Sequence, residues 1–284
     1  MALREDLLRY LNEDTPAGDV TSRAVIPNRR CAARITGKDN AVISGLDEAE
    51  ALCTHCGITF SRKVAEGAEI QPGTVIAELT GTASAILMVE RTMLNLMSRM
   101  SGIATATRRA VRAAEAANPA VRIAGTRKTA PGLRLCDKKA LMTGGADPHR
   151  MSLSDMILIK DNHLAIVPLE EAVKKARAYS RYVNVEVEVE TAEDAITAAQ
   201  TGADIILLDN MQPREVQETL DLLTKKNLRE RVVIEVSGNI TPDTLESYAV
   251  LGIDTISMGS LTHTVNNIDI SLDVMPAMST VKIF

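Results

Sequence analysis

Apolar positions along the 284 residues change period several times. Near the start, Leu7, Leu8 and Leu11 recur between charged residues, the pattern of an amphipathic helix, and residues 13–20 follow as a turn-rich loop around Pro16 and Gly18. Residues 31–35 and 41–44 read as strands joined into a hairpin across Gly37-Lys38-Asp39-Asn40. A helix is expected from Leu46 to the stop at Gly57, and residues 64–79 break into short strands at Gly67 and Pro72-Gly73. From Ser84 the spacing is helical: Leu87, Leu94 and Met97 share one face, Arg91, Asn95 and Ser98 another. Gly102 is expected to interrupt this helix before a second one over residues 103–117, and a domain boundary is placed there, giving domains 1–112 and 113–274.

Beyond Val121 short apolar runs alternate with helical segments, the signature of a parallel α/β fold. Strands are expected at 156–159, 183–189, 204–208, 232–236 and 255–258. The helices between them carry Pro168 and Pro242 in first-turn positions, Thr191 and Thr241 as N-caps, and Gly202 and Gly252 past their ends. Each strand ends on a polar residue or glycine: Lys160, Glu188, Asp209, Ser237-Gly238 and Gly259. They recur at the spacing of one βα unit, and a barrel of such units gathers its strand ends on one face, where a site forms. The strand around Val185 is unusual, because Glu186, Glu188 and Glu190 alternate with valines. Valines facing the helices would turn the glutamates inward, where they must meet cations such as Arg127, Lys128 and Lys160, or water entering an incomplete barrel.

Composition narrows the class. A hydrophobic fraction of 45% with 24% charged residues is ordinary for a globular protein, and no apolar run is long enough for a membrane helix. The first residues lack a signal-peptide pattern, so a cytoplasmic, non-membrane protein is expected. Aromatics make up only 2%, too few to stack the bases of a nucleic acid. Cys53 and Cys56 have the spacing of a metal or redox pair, but no second pair follows, and small half-buried residues are the simpler reading. Charge is uneven. Between Gly125 and His163 stand Arg127, Lys128, Arg134, Lys138, Lys139, Arg150 and Lys160 against Asp137, Asp147, Asp155 and Asp161, a balance of +3 in a chain of −5. A polyanionic small molecule suits such a stretch.

Several of these segments carry a resemblance. Glu90-Arg91-Thr92, Ser101-Gly102-Ile103-Ala104-Thr105, Thr126-Arg127-Lys128-Thr129 with Pro131-Gly132-Leu133-Arg134, His149-Arg150, Ile159-Lys160-Asp161-Asn162-His163 and the Gly259–His263 segment are similar, in order, to the quinolinate phosphoribosyltransferase family. Gly125 and Ala146-Asp147-Pro148 depart from the family pattern, and Pro148 is shared with a sister group encoded beside molybdate transporters. A related heterocyclic acid is therefore the alternative substrate. A non-enzymatic phosphate-binding barrel or carrier-like module is the alternative of another class. For the carrier, residues 64–89 lack the lysine that would be modified.

The resemblance implies an N-terminal α/β sandwich and a C-terminal open or incomplete α/β barrel of the type II phosphoribosyltransferase kind, with tail residues 275–284 returning to the first domain. It implies transfer of a phosphoribosyl group from phosphoribosyl pyrophosphate (PRPP) to quinolinate, with loss of carbon dioxide. Forked guanidinium donors suit a dicarboxylate. Arg91, Arg127 and Arg150, helped by Lys128, His149 and Lys160, are the residues matched to that work. Glu188 and Asp209 match the carboxylates that stabilise a ribose cation and hold Mg²⁺ arriving with PRPP. Ser237, Gly238 and Asn239, and Gly259 in the Met258-Gly259-Ser260 loop, lie where the 5′-phosphate would bind, and His263 is a further substrate-binding residue. Lys128, Lys160, Glu188 and Asp209 form the expected catalytic set. No organic cofactor is expected, because an N-alkylated pyridine ring is its own electron sink. A homodimer or hexamer is implied, in which Arg91 reaches the neighbouring subunit's site.

Overall fold

The computed structural model describes residues 4–275, and they form two compact units. The first runs up to Ala106 and takes in Ala130–Gly144 and the chain from Val265 onward; the second holds Thr107–Thr129 and Gly145–Thr264. The expected cut at 112/113 is therefore corrected. The segment over 130–144 was expected in the barrel but is fastened elsewhere by charge: Arg99 Nε and Nη2 grip buried Asp137 at 2.8 and 2.9 Å, and Lys139 Nζ lies 2.7 Å from both Asp47 and Glu48.

In the first unit, helices α1 (Arg4–Asp14), α2 (Val20–Val25) and α3 (Leu46–His55) accompany strands β1 (Arg30–Gly37), β2 (Ala41–Val42), β3 (Thr59–Arg62), β4 (Glu69–Ile70) and β5 (Val75–Thr82). Leu7 and Leu11 of α1 are buried, as their spacing predicts. The expected hairpin between β1 and β2 does not form. β1 lies between β5 and the strand Ile270–Val274, antiparallel to both, while β2 pairs with β4 in a separate two-stranded sheet. That last strand was expected to belong to the barrel and completes this sheet instead, whereas the tail beyond it lies outside the described residues.

Helix α4 runs unbroken from Ala83 to Ala117, so Gly102 does not divide it. A methyl group at Gly102 would lie 2.3 Å from the Asn266 carbonyl oxygen. The glycine serves close backbone approach, not a turn. Arg91 and Asn95 share the exposed face of α4, as expected, and Met93, Leu94 and Met97 are buried.

Strands β6 (Arg122–Ala124), β7 (Ile157–Ile159), β8 (Val185–Val189), β9 (Ile205–Asp209), β10 (Val233–Ser237) and β11 (Thr255–Ser257) build the second unit as one parallel sheet in the order β6-β11-β10-β9-β8-β7. No ladder joins β7 to β6 among the described residues, so the barrel stays open. Arg134–Gly144 is helix α5 of the first unit, and in the second the helices α6 (Asp161–Leu164), α7 (Leu169–Tyr179), α8 (Ala192–Thr201), α9 (Pro213–Lys225) and α10 (Pro242–Ala249) connect the strands. Their ends follow the sequence signals: the Thr191 hydroxyl accepts the Asp194 amide at 3.1 Å, Pro242 starts α10, and Gly202 closes α8 at φ 103°. Val185, Val187, Ile206, Leu208, Ile234, Val236 and Ile256 are all fully buried, whereas the positions alternating with them include Glu186, Glu188, Asp209, Glu235, Ser237 and Ser257, with Leu207 the apolar exception among them. One face of the sheet packs as core and the other is free to line a site.

Candidate active site

Strand register builds the site. Glu188 stands beside Leu207, Leu207 beside Glu235, and one step toward the strand ends Asp209 stands beside Ser237. These residues project from the C-terminal halves of β8, β9 and β10 and, with Leu158 and Ser257 from β7 and β11, line a cavity of about 430 Å³. Gly125, Thr126, Arg127 and Lys128, which follow β6, close another side, with His149, Arg150 and Lys160 completing the wall. Residue Asp147 extends the sheet past β6 by a parallel bridge to Ala124, its amide donating to the Ile123 carbonyl at 2.8 Å. The chain turns sharply just after that bridge, with His149 at φ 56°.

Opposite charges meet in the cavity. Lys160 pairs with Glu188 directly, which answers the need of an inward glutamate for a cation. Burial raises the carboxyl of Asp209, and nearby Lys160 and Lys128 counteract it only in part. The Asn210 side-chain amide donates to Asp209 Oδ2 at 2.7 Å, and Asn239 in turn donates to Asn210 Oδ1 at 3.2 Å. Burial, and then the charge of Arg127, lower the guanidinium pKa of Arg150. Among the described residues, the buried Nε–H of Arg127 has no hydrogen-bond partner.

Deeper in the sheet, Glu186 and Glu235 approach His149 Nε2 at 3.4 and 3.5 Å. Burial works against a charged imidazole, but the two carboxylates outweigh it, so the trio as a whole binds a proton more tightly than a free imidazole does. The Arg150 amide donates to Nδ1 at 2.8 Å, so a proton shared by this trio sits between Nε2 and the carboxylates. Burial raises Glu186 in the same sense.

The structure thus gathers eight of the residues expected in the site, Arg127, Lys128, His149, Arg150, Lys160, Glu188, Asp209 and Ser237, around one cavity. Gly259 adjoins them: a methyl group there would lie 3.0 Å from Lys128 Cδ and 3.3 Å from the His263 ring. Gly238 and Asn239 form the bend after β10, at φ 99° and 49°, with Gly238 so near Asn210 that a side chain would meet its Oδ1 at 2.3 Å. Arg91 stands apart, lining a different cavity within the first unit with Tyr10, Glu13 and Asn95. Glu190 is exposed. Glu235, absent from the expected site, lines the cavity. Its signal was a single acid inside the apolar run Val232 to Val236.

Glu188 and Asp209 offer only hard carboxylate oxygens, with the Ser237 hydroxyl in the adjoining register. Such donors fit Mg²⁺, which prefers oxygen and keeps waters and substrate phosphate in its shell.

An open parallel α/β barrel with a pocket of forked cations and carboxylates at its strand ends is the framework of an enzyme that takes anionic substrates. The match to known proteins is specific. Residues 19–101 fit the family described as quinolinate phosphoribosyl transferase, N-terminal domain, and residues 103–273 fit its C-terminal domain. The chain belongs to the quinolinate phosphoribosyl transferase family. It is 44% identical over 273 residues to a protein of Methanothermobacter thermautotrophicus named a probable nicotinate-nucleotide pyrophosphorylase (carboxylating), covering 95% of this chain and 98% of that one. It is 37% identical over 265 residues to the rat nicotinate-nucleotide pyrophosphorylase (carboxylating), covering 93% and 88%. The solved nicotinate-nucleotide pyrophosphorylase of Francisella tularensis superposes with a TM-score of 0.90 at 30% identity, over 97% of this chain and 98% of that one.

Proposed function

We propose that the protein transfers the phosphoribosyl group of PRPP to the ring nitrogen of quinolinate, yielding nicotinate mononucleotide, pyrophosphate and carbon dioxide in the synthesis of NAD. The observation that carries this reading is the pairing of two guanidinium groups, Arg127 with its unpartnered buried Nε–H and Arg150 beside it, in one cavity with Glu188 and Asp209. Two forked donors suit two adjacent carboxylates, and two acids suit a sugar carbon that turns cationic. The family membership and the relatives' names support the same reaction.

In this mechanism Arg127 and Arg150 hold the pyridine dicarboxylate, with Lys128 as a further cation. The bond between ribose C1 and pyrophosphate loosens first, and Glu188 and Asp209 offset the positive charge that develops on the ribose. Lys160, released from Glu188 by the incoming substrate, turns to the departing pyrophosphate. Mg²⁺ arriving on PRPP would be held by Glu188 and Asp209 and would neutralise phosphate charge. The 5′-phosphate takes the backbone amides of the bends at Gly238 and Gly259. Once the ring nitrogen is alkylated, the bond from C2 to its carboxylate breaks, its electron pair stays on C2, carbon dioxide leaves, and C2 takes a proton.

Gly125 and Asp147, two departures from the family pattern, meet through their main chains, the Gly125 amide donating to the Asp147 carbonyl at 2.9 Å. This backbone contact is compatible with quinolinate. A cytoplasmic location and a homodimer in which Arg91 serves the partner's cavity complete the proposal. No described helix is long and apolar enough to cross a membrane. The test is release of labelled carbon dioxide from carboxyl-labelled quinolinate with PRPP and Mg²⁺. No release, beside an active family member under the same conditions, removes the reading.

A further inference from the structure

Two buried acids do nothing in the mechanism above. Among the described residues, Glu186 is wholly buried with neither carboxylate oxygen hydrogen-bonded, and Glu235 is 4% exposed with Oε1 unpartnered. Carboxylates so placed are costly to bury, and an aliphatic side chain, such as that of the neighbouring inward residue Leu207, would pack with less penalty. Both acids point a second oxygen at His149 Nε2.

His149 is held at both ring nitrogens. Nδ1 accepts the Arg150 amide, so the ring proton belongs on Nε2, facing the acids. The three side chains have ligand atoms within 4.8 Å of one another, which suggests a cation site. A metal at Nε2 would need the lone pair that this tautomer has protonated, so the arrangement favours a clamp over a coordination shell. The same tautomer leaves His149 no free nitrogen for a ligand. His149 also occupies the left-handed region at φ 56°, uncommon for a residue other than glycine although histidine enters it more readily than most. The bend it makes sets the direction in which the next residue, Arg150, enters the cavity.

We propose that Glu186 and Glu235 are positioning residues: they clamp the His149 ring, the ring holds its own backbone bend through the Arg150 amide, and the bend aims the Arg150 guanidinium at a substrate carboxylate. The proposal rests on the quinolinate reading for its kinetic consequence but not for its structural one, so the two can be tested apart.

The experiment compares wild type with Glu186→Gln, Glu235→Gln and Arg150→Lys, each Gln variant also combined with Arg150→Lys. Nitrogen-15 NMR of labelled histidine reads the tautomer without substrate. The wild-type His149 ring should show one ordered form, protonated at Nε2, and each Gln variant a mixture. Calorimetry and steady-state rates then read the acid. Each Gln change should raise the quinolinate Kd and KM about tenfold with a smaller effect on kcat, and should add little in the Arg150→Lys background. Melting temperature should stay close to that of wild type, because Gln keeps the shape of the acid and only one of two buried carboxylates facing a single imidazole is lost. If one Gln variant does not fold, the other and the wild-type spectrum still decide. A disordered wild-type tautomer, wild-type affinity in a folded Gln variant, or full additivity with Arg150→Lys would overturn the clamp. Failure of wild type to bind quinolinate would overturn the substrate and leave the tautomer result standing.

Discussion

Arg127 and Glu188 make opposite demands on a bound substrate, and a single conservative substitution tests each. Arg127→Lys keeps the charge but not the planar fork, so kcat/KM for quinolinate should fall by about 2–4 kcal/mol of transition-state stabilisation, measured by steady-state kinetics. Glu188→Gln and Asp209→Asn remove charge that matters only when the ribose becomes cationic. They should lower kcat on the order of 100-fold while calorimetry finds quinolinate affinity nearly unchanged. Equal losses in both would make them substrate-holding groups. Thiol chemistry gives a prediction away from the cavity. Burial pushes Cys53 and Cys136 to about 12 and raises Cys56 as well. Iodoacetamide at pH 8 should therefore label half-buried Cys31 first and leave Cys53 and Cys136 unmodified in the native protein, as mass spectrometry of the digest would show.

At the level of strands and helices, Gly102→Ala tests why α4 carries a glycine. The added methyl would face the Asn266 backbone at 2.3 Å, an obstacle that cannot rotate away. The variant should lose about 1–3 kcal/mol and melt several degrees lower in calorimetry. Sequence alone suggested a break at Gly102, because the close approach comes from a residue far along the chain. The same limit explains the false hairpin. Residues 37–40 have turn chemistry, but β1 finds its partners in β5 and in Ile270–Val274, and local pattern carries no record of distant pairing. Barrel strands were legible because each is a local unit with its own caps and its own polar end. Three alternating acids made β8 conspicuous, whereas Glu235, alone among apolar neighbours on β10, became visible only when register placed it beside Leu207. Arg91 was legible as an exposed helix residue, and its expected role needs a second subunit.

For the whole molecule, that second subunit is open to a complementation test. Arg91 and Glu188 line different cavities in different units of one chain. Where Arg91 serves the partner, mixing inactive Arg91→Ala with inactive Glu188→Ala and allowing subunit exchange should restore activity. One site of each mixed dimer then gathers both defects and the other neither, so random pairing leaves about a quarter of all sites intact. Activity near zero in a mixture shown by native mass spectrometry to contain mixed dimers would refute the shared site. The segmented first unit has a consequence of its own, in time instead of space. The strand Ile270–Val274 is synthesised after the entire second unit, yet it supplies the partner for Ala33–Gly37. A ribosome adding roughly 5–20 residues per second would leave that edge of β1 uncovered for on the order of ten seconds or more. Throughout that interval the nascent chain presents an open strand to anything nearby, and a chaperone that shields it would matter most to the part of the protein made first.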